Sequence, residues 1–199
     1  MTRSLELDGS PIFAARNGRD QGVRLRDLDE DGRCELIVGN PKQQAVFRWN
    51  EKQNTWSRLP YALPKNTTIV DALGRDAGLR FIDIDEDGFD DVVFSNQNFY
   101  SLHLFDSIEH GWSREVRAGV RGDGAAIPMI VRAGTNNGSW FARRHMWVQN
   151  EDTAKMPDGV DRRSSDELLG EIPPPRSAAA GLKSIQVHPG FQVELVASE

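Results

Sequence analysis

Several features that mark particular classes of protein are scarce or missing in this sequence. A single cysteine, Cys34, excludes an internal disulfide framework, a cysteine-based zinc site and a C-x-x-C-H haem attachment. No apolar run reaches the roughly 18 residues that a membrane-spanning helix needs, and the opening MTRSLELDGSPIF has no apolar segment typical of a secretion signal. With 24 Lys and Arg against 30 Asp and Glu, the net charge of −6 argues against nucleic-acid binding.

Catalytic signatures are missing too. The sequence has no G-x-S-x-G, P-loop or G-x-G-x-x-G motif. Its histidines show no metal-ligand spacing; they are His103, His110, His145 and His188. Cys34 is interpreted as structural, because the carboxylates around it would raise rather than lower a thiol pKa. The motifs therefore leave open whether the chain belongs to an enzyme. The hydrophobic content of 38% is sufficient for a folded core.

The sequence repeats itself. Residues 18–58 align without a gap with residues 74–114, over 41 consecutive positions. The identical pairs include Gly18/Gly74, Asp27/Asp83, Asp29/Asp85, Asp31/Asp87, Gly32/Gly88, Asn40/Asn96 and Trp56/Trp112. An agreement of this length indicates an internal duplication.

Each copy contains about four short strand-like segments, which in the first copy are GVRLRD, ELIVGN, AVFRWN and TWSR. Four short strands per repeat are typical of one blade of a β-propeller, whose apolar faces must pack on neighbouring blades. The predicted fold is therefore all-β, a partial β-propeller of four-stranded blades. The equivalence of Trp56 and Trp112 favours packing between blades over a platform for stacking carbohydrate.

A third, degenerate copy is predicted, with Asn137-Gly138 in place of the earlier Asp-Gly and MWVQN (146–150) in place of LIVGN and VVFSN. Weak helical periodicity appears only near SSDELLG (164–170). The predicted organisation is the end of a preceding blade (1–17), two blade repeats (18–73 and 74–130), a degenerate blade (131–155), a polar, proline-rich linker (156–181) and the start of a truncated further domain (182–199).

The acidic loops of the two copies share the pattern D-x-D-x-D-G-x-x-[DE]. Acids at alternate positions of a curled loop can point inward, the glycine supplies a positive φ, and Ca²⁺ prefers 6–8 oxygen ligands in a tolerant geometry. Mg²⁺ fits less well because it demands a stricter octahedron. The predicted ligands are Asp27, Asp29, Asp31, Arg33 (through its carbonyl) and Glu35, and Asp83, Asp85, Asp87, Phe89 (through its carbonyl) and Asp91.

A simpler interpretation needs no metal. Asp-Gly turns are common in β proteins, and an aspartate can organise its own turn by hydrogen bonds to the backbone. The calcium interpretation is favoured because the same acidic pattern occurs at equivalent positions of a repeat, where unscreened carboxylates would repel one another.

The loops and the strands around them resemble the FG-GAP/VCBS repeats of integrin-α-like β-propellers over about residues 18–150. The resemblance implies calcium binding in the loops, a structural or interaction role with a protein or carbohydrate ligand, and an extracytoplasmic location. The F-G-G-A-P part of the family pattern is not recognisable, and no metal site is carried onto the third copy.

The C-terminal third resembles the junction sequences of planctomycete-type membrane-bound dehydrogenases, in RRHMWVQNEDT, DRRSSDELL and LKSIQVHPGFQVELVASE. That resemblance implies a second hypothesis. The chain would be a non-catalytic fragment of a larger, haem-containing oxidoreductase of the sugar-dehydrogenase type, with the remainder of that polypeptide as its partner.

Overall fold

Two short hairpins open the fold. A computed structural model describes residues 5–122 and 126–170 of the chain. The strands of the hairpins, each paired antiparallel with the next, are β1 (Glu6–Leu7), β2 (Ser10–Pro11), β3 (Ala15–Arg16) and β4 (Arg19–Asp20). The second hairpin lies across the boundary that the sequence analysis placed between residues 17 and 18.

Two four-stranded antiparallel sheets follow, one from each copy of the repeat. The first sheet consists of β5 (Val23–Arg26), β6 (Glu35–Gly39), β7 (Gln44–Asn50) and β8 (Thr55–Arg58). The second sheet consists of β9 (Leu79–Ile82), β10 (Asp91–Ser95), β11 (Phe99–Leu104) and β12 (Arg114–Val120). Leu36 pairs with Phe47 and, equivalently, Val92 pairs with His103. This confirms the predicted all-β fold of repeated four-stranded units.

A third unit comprises a hairpin, a three-stranded sheet, two 3-10 helices and one short α-helix. Its strands and α-helix are β13 (Val131–Arg132), β14 (Thr135–Asn136), β15 (Ser139–Ala142), β16 (His145–Val148), β17 (Asp161–Ser164) and α1 (Ser165–Leu169). The 3-10 helices, Glu151–Thr153 and Pro157–Gly159, lie between β16 and β17. The α-helix agrees with the periodicity near residues 164–170. It begins at a capping box, in which Ser164 and Glu167 each accept a backbone N–H of the other.

The prediction that a linker starts at residue 156 places its start too early. β17 pairs with β16, and Leu168 of α1 is 3% exposed in the core. The error has a physical reason: an edge strand with one solvated side has a polar sequence, here DRRS, that looks like a linker. The rest of the predicted linker and the further domain at 182–199 lie outside the described residues.

The third unit lacks the acidic loop altogether. The Gln149 N–H donates to the Gly138 carbonyl at 2.9 Å, as Gly39 donates to Gly22 and Ser95 to Gly78. Gly138 therefore corresponds to the glycine before β5 and β9, and its predicted match to the loop glycine is wrong. The correspondence of MWVQN with LIVGN and VVFSN holds, because β15 reaches β16 through a two-residue turn, Arg143-Arg144.

The sheets pack face to face through two hydrophobic clusters. The first-second cluster joins Ile37 and Val46 of the first sheet to Val92 and Phe94 of the second. The second-third cluster, on the other face of β10, joins residues including Val93, Leu102, Met146, Val148 and Leu168. Each sheet therefore buries a face that it could not cover alone, as consecutive propeller blades do.

Candidate metal centre

Each acidic loop connects the first two strands of its sheet. The first loop, residues 27–35, joins β5 to β6, and the second loop, residues 83–91, joins β9 to β10. One apolar residue anchors each loop: Leu28 is 1% exposed in the first-second cluster, and Ile84 is 2% exposed in the second-third cluster. With this residue facing the core, its aspartate neighbours face the opposite way.

Aspartates organise the backbone of both loops in the same manner. Asp27 accepts the N–H groups of Asp31 and Gly32 at 3.1 and 2.8 Å. In the second loop Asp83 accepts those of Asp87 and Gly88, both at 3.1 Å. The loop glycines have the expected positive φ, 86° at Gly32 and 98° at Gly88.

An acid with no exposed surface closes each loop. Glu35 is 0% exposed; its Oε2 accepts the Leu28 N–H at 3.0 Å, and its Oε1 has no hydrogen-bond partner among the described residues. Asp91 is also 0% exposed and accepts the N–H groups of Ile84 at 3.0 Å and Phe105 at 2.8 Å. Because both acids are buried, their negative charge must be compensated by hydrogen bonds or by a nearby positive charge.

Three carboxylates converge in each loop. One oxygen each from Asp27, Asp29 and Glu35 lie within 4.8 Å of one another, and Asp83, Asp85 and Asp91 form the equivalent group. The Oδ1 atoms of Asp29 and Asp85 are buried without a hydrogen-bond partner in the described part of the chain. Such groups of oxygens could hold a hard cation.

The other predicted ligands lie at the edge of these groups. Asp31 and Asp87 are not among the converging carboxylates, and each accepts a backbone N–H at 2.9 Å, from Arg33 and Phe89 respectively. The carbonyls of Arg33 and Phe89 stay predicted ligands.

Burial, and to a smaller extent the charges of neighbouring acids, raise the pKa values of three carboxyl groups in the loops. Burial, reinforced by the neighbouring acids Asp85 and Asp87, raises the pKa of Asp91 to about 7 against its backbone hydrogen bonds. Burial and the charge of Asp87 raise the pKa of Asp85, and burial and the charge of Asp29 raise the pKa of Glu35. A bound proton or a bound cation would therefore stabilise these carboxylates at neutral pH.

Arg48 was not among the residues predicted to belong to the first loop's site. Its Nη2 lies 2.9 Å from Asp29 Oδ2 and 2.5 Å from Asp31 Oδ2, and its Nε lies 3.7 Å from Glu35 Oε1. Burial opposes the charge of Arg48, but the hydrogen bond to Asp31 and the charges of these acids outweigh it and raise the guanidinium pKa. The repeat alignment contained a signal, because Leu104 occupies the equivalent position in the second copy.

The simpler interpretation of the loops accounts for part of this geometry. The aspartate-to-backbone hydrogen bonds that it requires are present in both loops. They do not account for the buried acids Glu35 and Asp91, nor for the oxygens of Asp29, Glu35 and Asp85 that have no hydrogen-bond partner among the described residues. Those features are the ones that suit a cation.

Two tryptophans and an arginine outside the loops contribute to packing and to ion pairs. Trp112 is 4% exposed in the first-second cluster, as expected for packing between sheets, and Trp56 packs against the cluster of the N-terminal hairpin. Arg144 pairs with Glu86 of the second loop and with Asp166 of α1, both at 3.0 Å.

Comparison with known proteins supports the repeat. Residues 27–94 match the FG-GAP-like repeat family, from the first aspartate of the first loop to the strand after the second. This part of the chain is therefore similar to FG-GAP-like repeats, which are units of β-propeller type and typical of extracellular proteins. No curated protein and no solved structure gives a significant match. The resemblance to membrane-bound dehydrogenases gains no support from these findings.

In the part of the chain that the structure describes, no helix has the length and apolarity to span a membrane.

Proposed function

We propose that the two acidic loops bind Ca²⁺ and that the chain is a calcium-stabilised structural and interaction module of extracytoplasmic type. One observation carries the proposal. In each loop three carboxylates converge, one of them the buried acid Glu35 or Asp91, and each group includes a residue with a buried oxygen that has no hydrogen-bond partner among the described residues. A cation at that point would offset the burial and the mutual repulsion that raise the carboxylate pKa values.

Calcium fits this donor set better than magnesium. The donors are carboxylate oxygens on a loop with backbone carbonyls nearby, and Ca²⁺ accepts such a varied shell whereas Mg²⁺ needs near-ideal octahedral geometry. The bound ion would tie the loop to the start of the following strand, because Asp27 and Asp83 open the loops while Glu35 and Asp91 belong to β6 and β10. Its role is thus to hold strand connections rather than to perform a reaction.

The magnitude of this stabilisation follows from mass action. Extracellular calcium modules have Kd values of about 10⁻⁴–10⁻³ M. At free calcium tenfold above Kd, each site would add roughly 1.4 kcal/mol to the free energy of unfolding. For a chain of this size, each kcal/mol raises the melting temperature by about 2–4 °C.

Thermal unfolding with and without a chelator tests the proposal. We expect EDTA to lower the melting temperature and excess Ca²⁺ to restore it, whereas the double variant Asp29→Ala with Asp85→Ala should lose most of that response. The control is Glu6→Ala with Glu109→Ala, which removes the same charge from exposed positions outside both loops. An identical melting curve in calcium and in EDTA would refute calcium binding, and a full response in the loop variant would show that the ligands are different.

A further inference from the structure

Arg48 and Leu104 hold equivalent places next to the two loops. β6 pairs with β7 in the same register as β10 with β11, since Leu36 opposite Phe47 corresponds to Val92 opposite His103. The next residue on β7 is Arg48, and the next residue on β11 is Leu104. The two copies therefore present a guanidinium and an aliphatic side chain to otherwise similar groups of carboxylates.

In the first loop the guanidinium group of Arg48 forms ion pairs with carboxylate oxygens. Arg48 contacts the Oδ2 atoms of Asp29 and Asp31 and lies 3.7 Å from Oε1 of Glu35. Three of the four predicted acidic side chains of this loop thus share one fixed positive charge.

In the second loop the corresponding carboxylates form no such ion pair; the charge of Arg114 acts on Asp85 from beyond ion-pair distance. Leu104 is 5% exposed and packs in the second-third cluster. In the described ranges, 5–122 and 126–170, no basic side chain forms an ion pair with the acidic ligands of this loop, which are Asp83, Asp85, Asp87 and Asp91. The ion pairs of the second loop involve its other acids: Asp90 pairs with Arg26 at 2.6 Å, and Glu86 pairs with Arg144 at 3.0 Å.

Affinity for Ca²⁺ depends on the charge around the site and on the oxygens free to bind. A fixed positive charge a few ångströms from the ion repels it, and a guanidinium group that is ion-paired with two ligands must be displaced or share their oxygens. Both effects act directly on the predicted ligands of the first loop, whereas Arg26 and Arg144 pair with other acids of the second loop.

We propose that Arg48 makes the first loop the weaker calcium site and leaves the second loop as the tighter one. This inference rests on the proposed function, since it ranks two sites that must first bind calcium. It makes Arg48 an internal counter-ion that keeps the first loop folded at low calcium, while the second loop depends on the metal.

Calorimetric titration of the calcium-free protein with Ca²⁺ tests the ranking. Asp85→Asn leaves the first loop to be measured, and Asp29→Asn leaves the second. We expect the Asp29→Asn protein to bind calcium about tenfold more tightly, or better, than the Asp85→Asn protein. Adding Arg48→Gln to the Asp85→Asn protein should raise the affinity of the first loop by about tenfold.

The matched control is Arg58→Gln in the same Asp85→Asn protein. Arg58 lies on the adjacent strand β8 and pairs with exposed Asp8 at 3.4 Å, so its loss changes the total charge equally without touching a loop. We expect an effect below about twofold, because salt screens exposed charges at a distance. Circular dichroism of each variant reports on folding; if Arg48→Gln does not fold, the comparison of the two loop variants still tests the ranking.

The outcomes separate this inference from the proposed function. Two loops of equal affinity, with no gain from Arg48→Gln, would overturn the role of Arg48 and leave calcium binding intact. Absence of calcium binding in every variant, Arg48→Gln included, would overturn the proposed function itself.

Discussion

At the scale of single residues, the acids that close the loops are the most informative. A carboxylate with no exposed surface is costly unless its oxygens are compensated. Glu35 and Asp91 each receive one hydrogen bond from the apolar residue that anchors the loop, Leu28 or Ile84. The same peptide segment therefore provides the core contact and part of the compensation, and a cation would complete it.

Asparagine side chains link strands in all three units. The Nδ2 groups of Asn40, Asn96 and Asn150 donate to the carbonyls of Gln21, Ala77 and Asn137. The Oδ1 atom of Asn40 also accepts the N–H groups of Lys42 and Gln43 at 3.0 and 2.9 Å. This amide joins the turn after the second strand to the segment before the first.

We expect Asn40→Ala to lower the free energy of unfolding by about 1–3 kcal/mol, because it leaves backbone groups in a partly buried turn unsatisfied. Urea denaturation measures the change. Asn98→Ala is the control, since the exposed Asn98 uses its backbone in the equivalent turn of the second copy, and its side chain should contribute less than about 0.5 kcal/mol. Equal losses in the two variants would show that the Asn40 amide is dispensable.

His103 makes stability depend on pH. Burial lowers its pKa in the folded state, with Glu115 at 3.9 Å acting in the opposite direction. The unfolded chain therefore binds a proton more readily, and this residue's contribution is present above the ordinary histidine pKa and is lost as pH falls through the lowered folded value. Between pH 7.5 and 5, we expect the wild-type protein to lose more stability than His103→Gln in matched urea titrations. Parallel pH profiles for the two proteins would contradict this assignment.

At the scale of elements, the connection between the first two strands distinguishes the three units. It is an acidic loop in the first and second units and a two-residue turn in the third, with φ values of 51° at Arg143 and 59° at Arg144. Arg144 of this turn reaches Glu86 of the second loop. The unit that lost its acidic loop thus supplies a positive charge to the loop beside it.

Glycine before the first strand is required by close backbone contact. A Cβ added at Gly78 would lie 2.6 Å from the carbonyl oxygen of Ser95, and φ is +103°. Gly22 and Gly138 occupy the same position, where the Cβ would lie 2.4 and 2.0 Å from a carbonyl oxygen. This contact accompanies the hydrogen bond that joins the start of the first strand to the end of the second.

We expect Gly78→Ala to destabilise the protein by about 2 kcal/mol or more, since backbone strain and a steric clash both contribute. Gly9→Ala is the matched control: its φ is +75°, but nothing lies within 4 Å of an added Cβ. There we expect about 1 kcal/mol from backbone strain alone. Thermal or urea unfolding measures both, and equal losses would mean that the contact with Ser95 adds nothing.

At the scale of the whole molecule, the second sheet holds the other two together. Neighbouring residues of β10 face opposite clusters, since Val92 lies in the first-second cluster and Val93 in the second-third cluster, both 0% exposed. The polar residues of the edge strand β17 suit its exposure to solvent.

We expect Val92→Ala and Val93→Ala to destabilise one shared transition by roughly 1–3 kcal/mol each, because each removes buried methyl groups from a cluster that joins two sheets. Urea unfolding followed by tryptophan fluorescence and by circular dichroism should give coincident curves for both variants. Separate transitions for the two signals would indicate that the sheets unfold independently.

The sequence by itself determined the features that depend on local pattern. Period-two and apolar segments, repeated at a fixed offset, were enough to predict the all-β fold and the four-stranded units. The D-x-D-x-D-G spacing was enough to predict which loops gather carboxylates, because loop curvature and a glycine at positive φ are local properties.

Tertiary structure alone decided what depends on contacts between distant segments. The placement of Arg48 against the first loop follows from the pairing of β6 with β7, and the contact of Arg144 with the second loop follows from the packing of two units. The sequence did not indicate that the third unit lacks the acidic loop, because Asn137-Gly138 resembles the Asp-Gly pair of the loops. The segment of β17 was predicted to be part of a linker because a polar edge strand acquires its structure from its partner strand, and no local pattern records that partner.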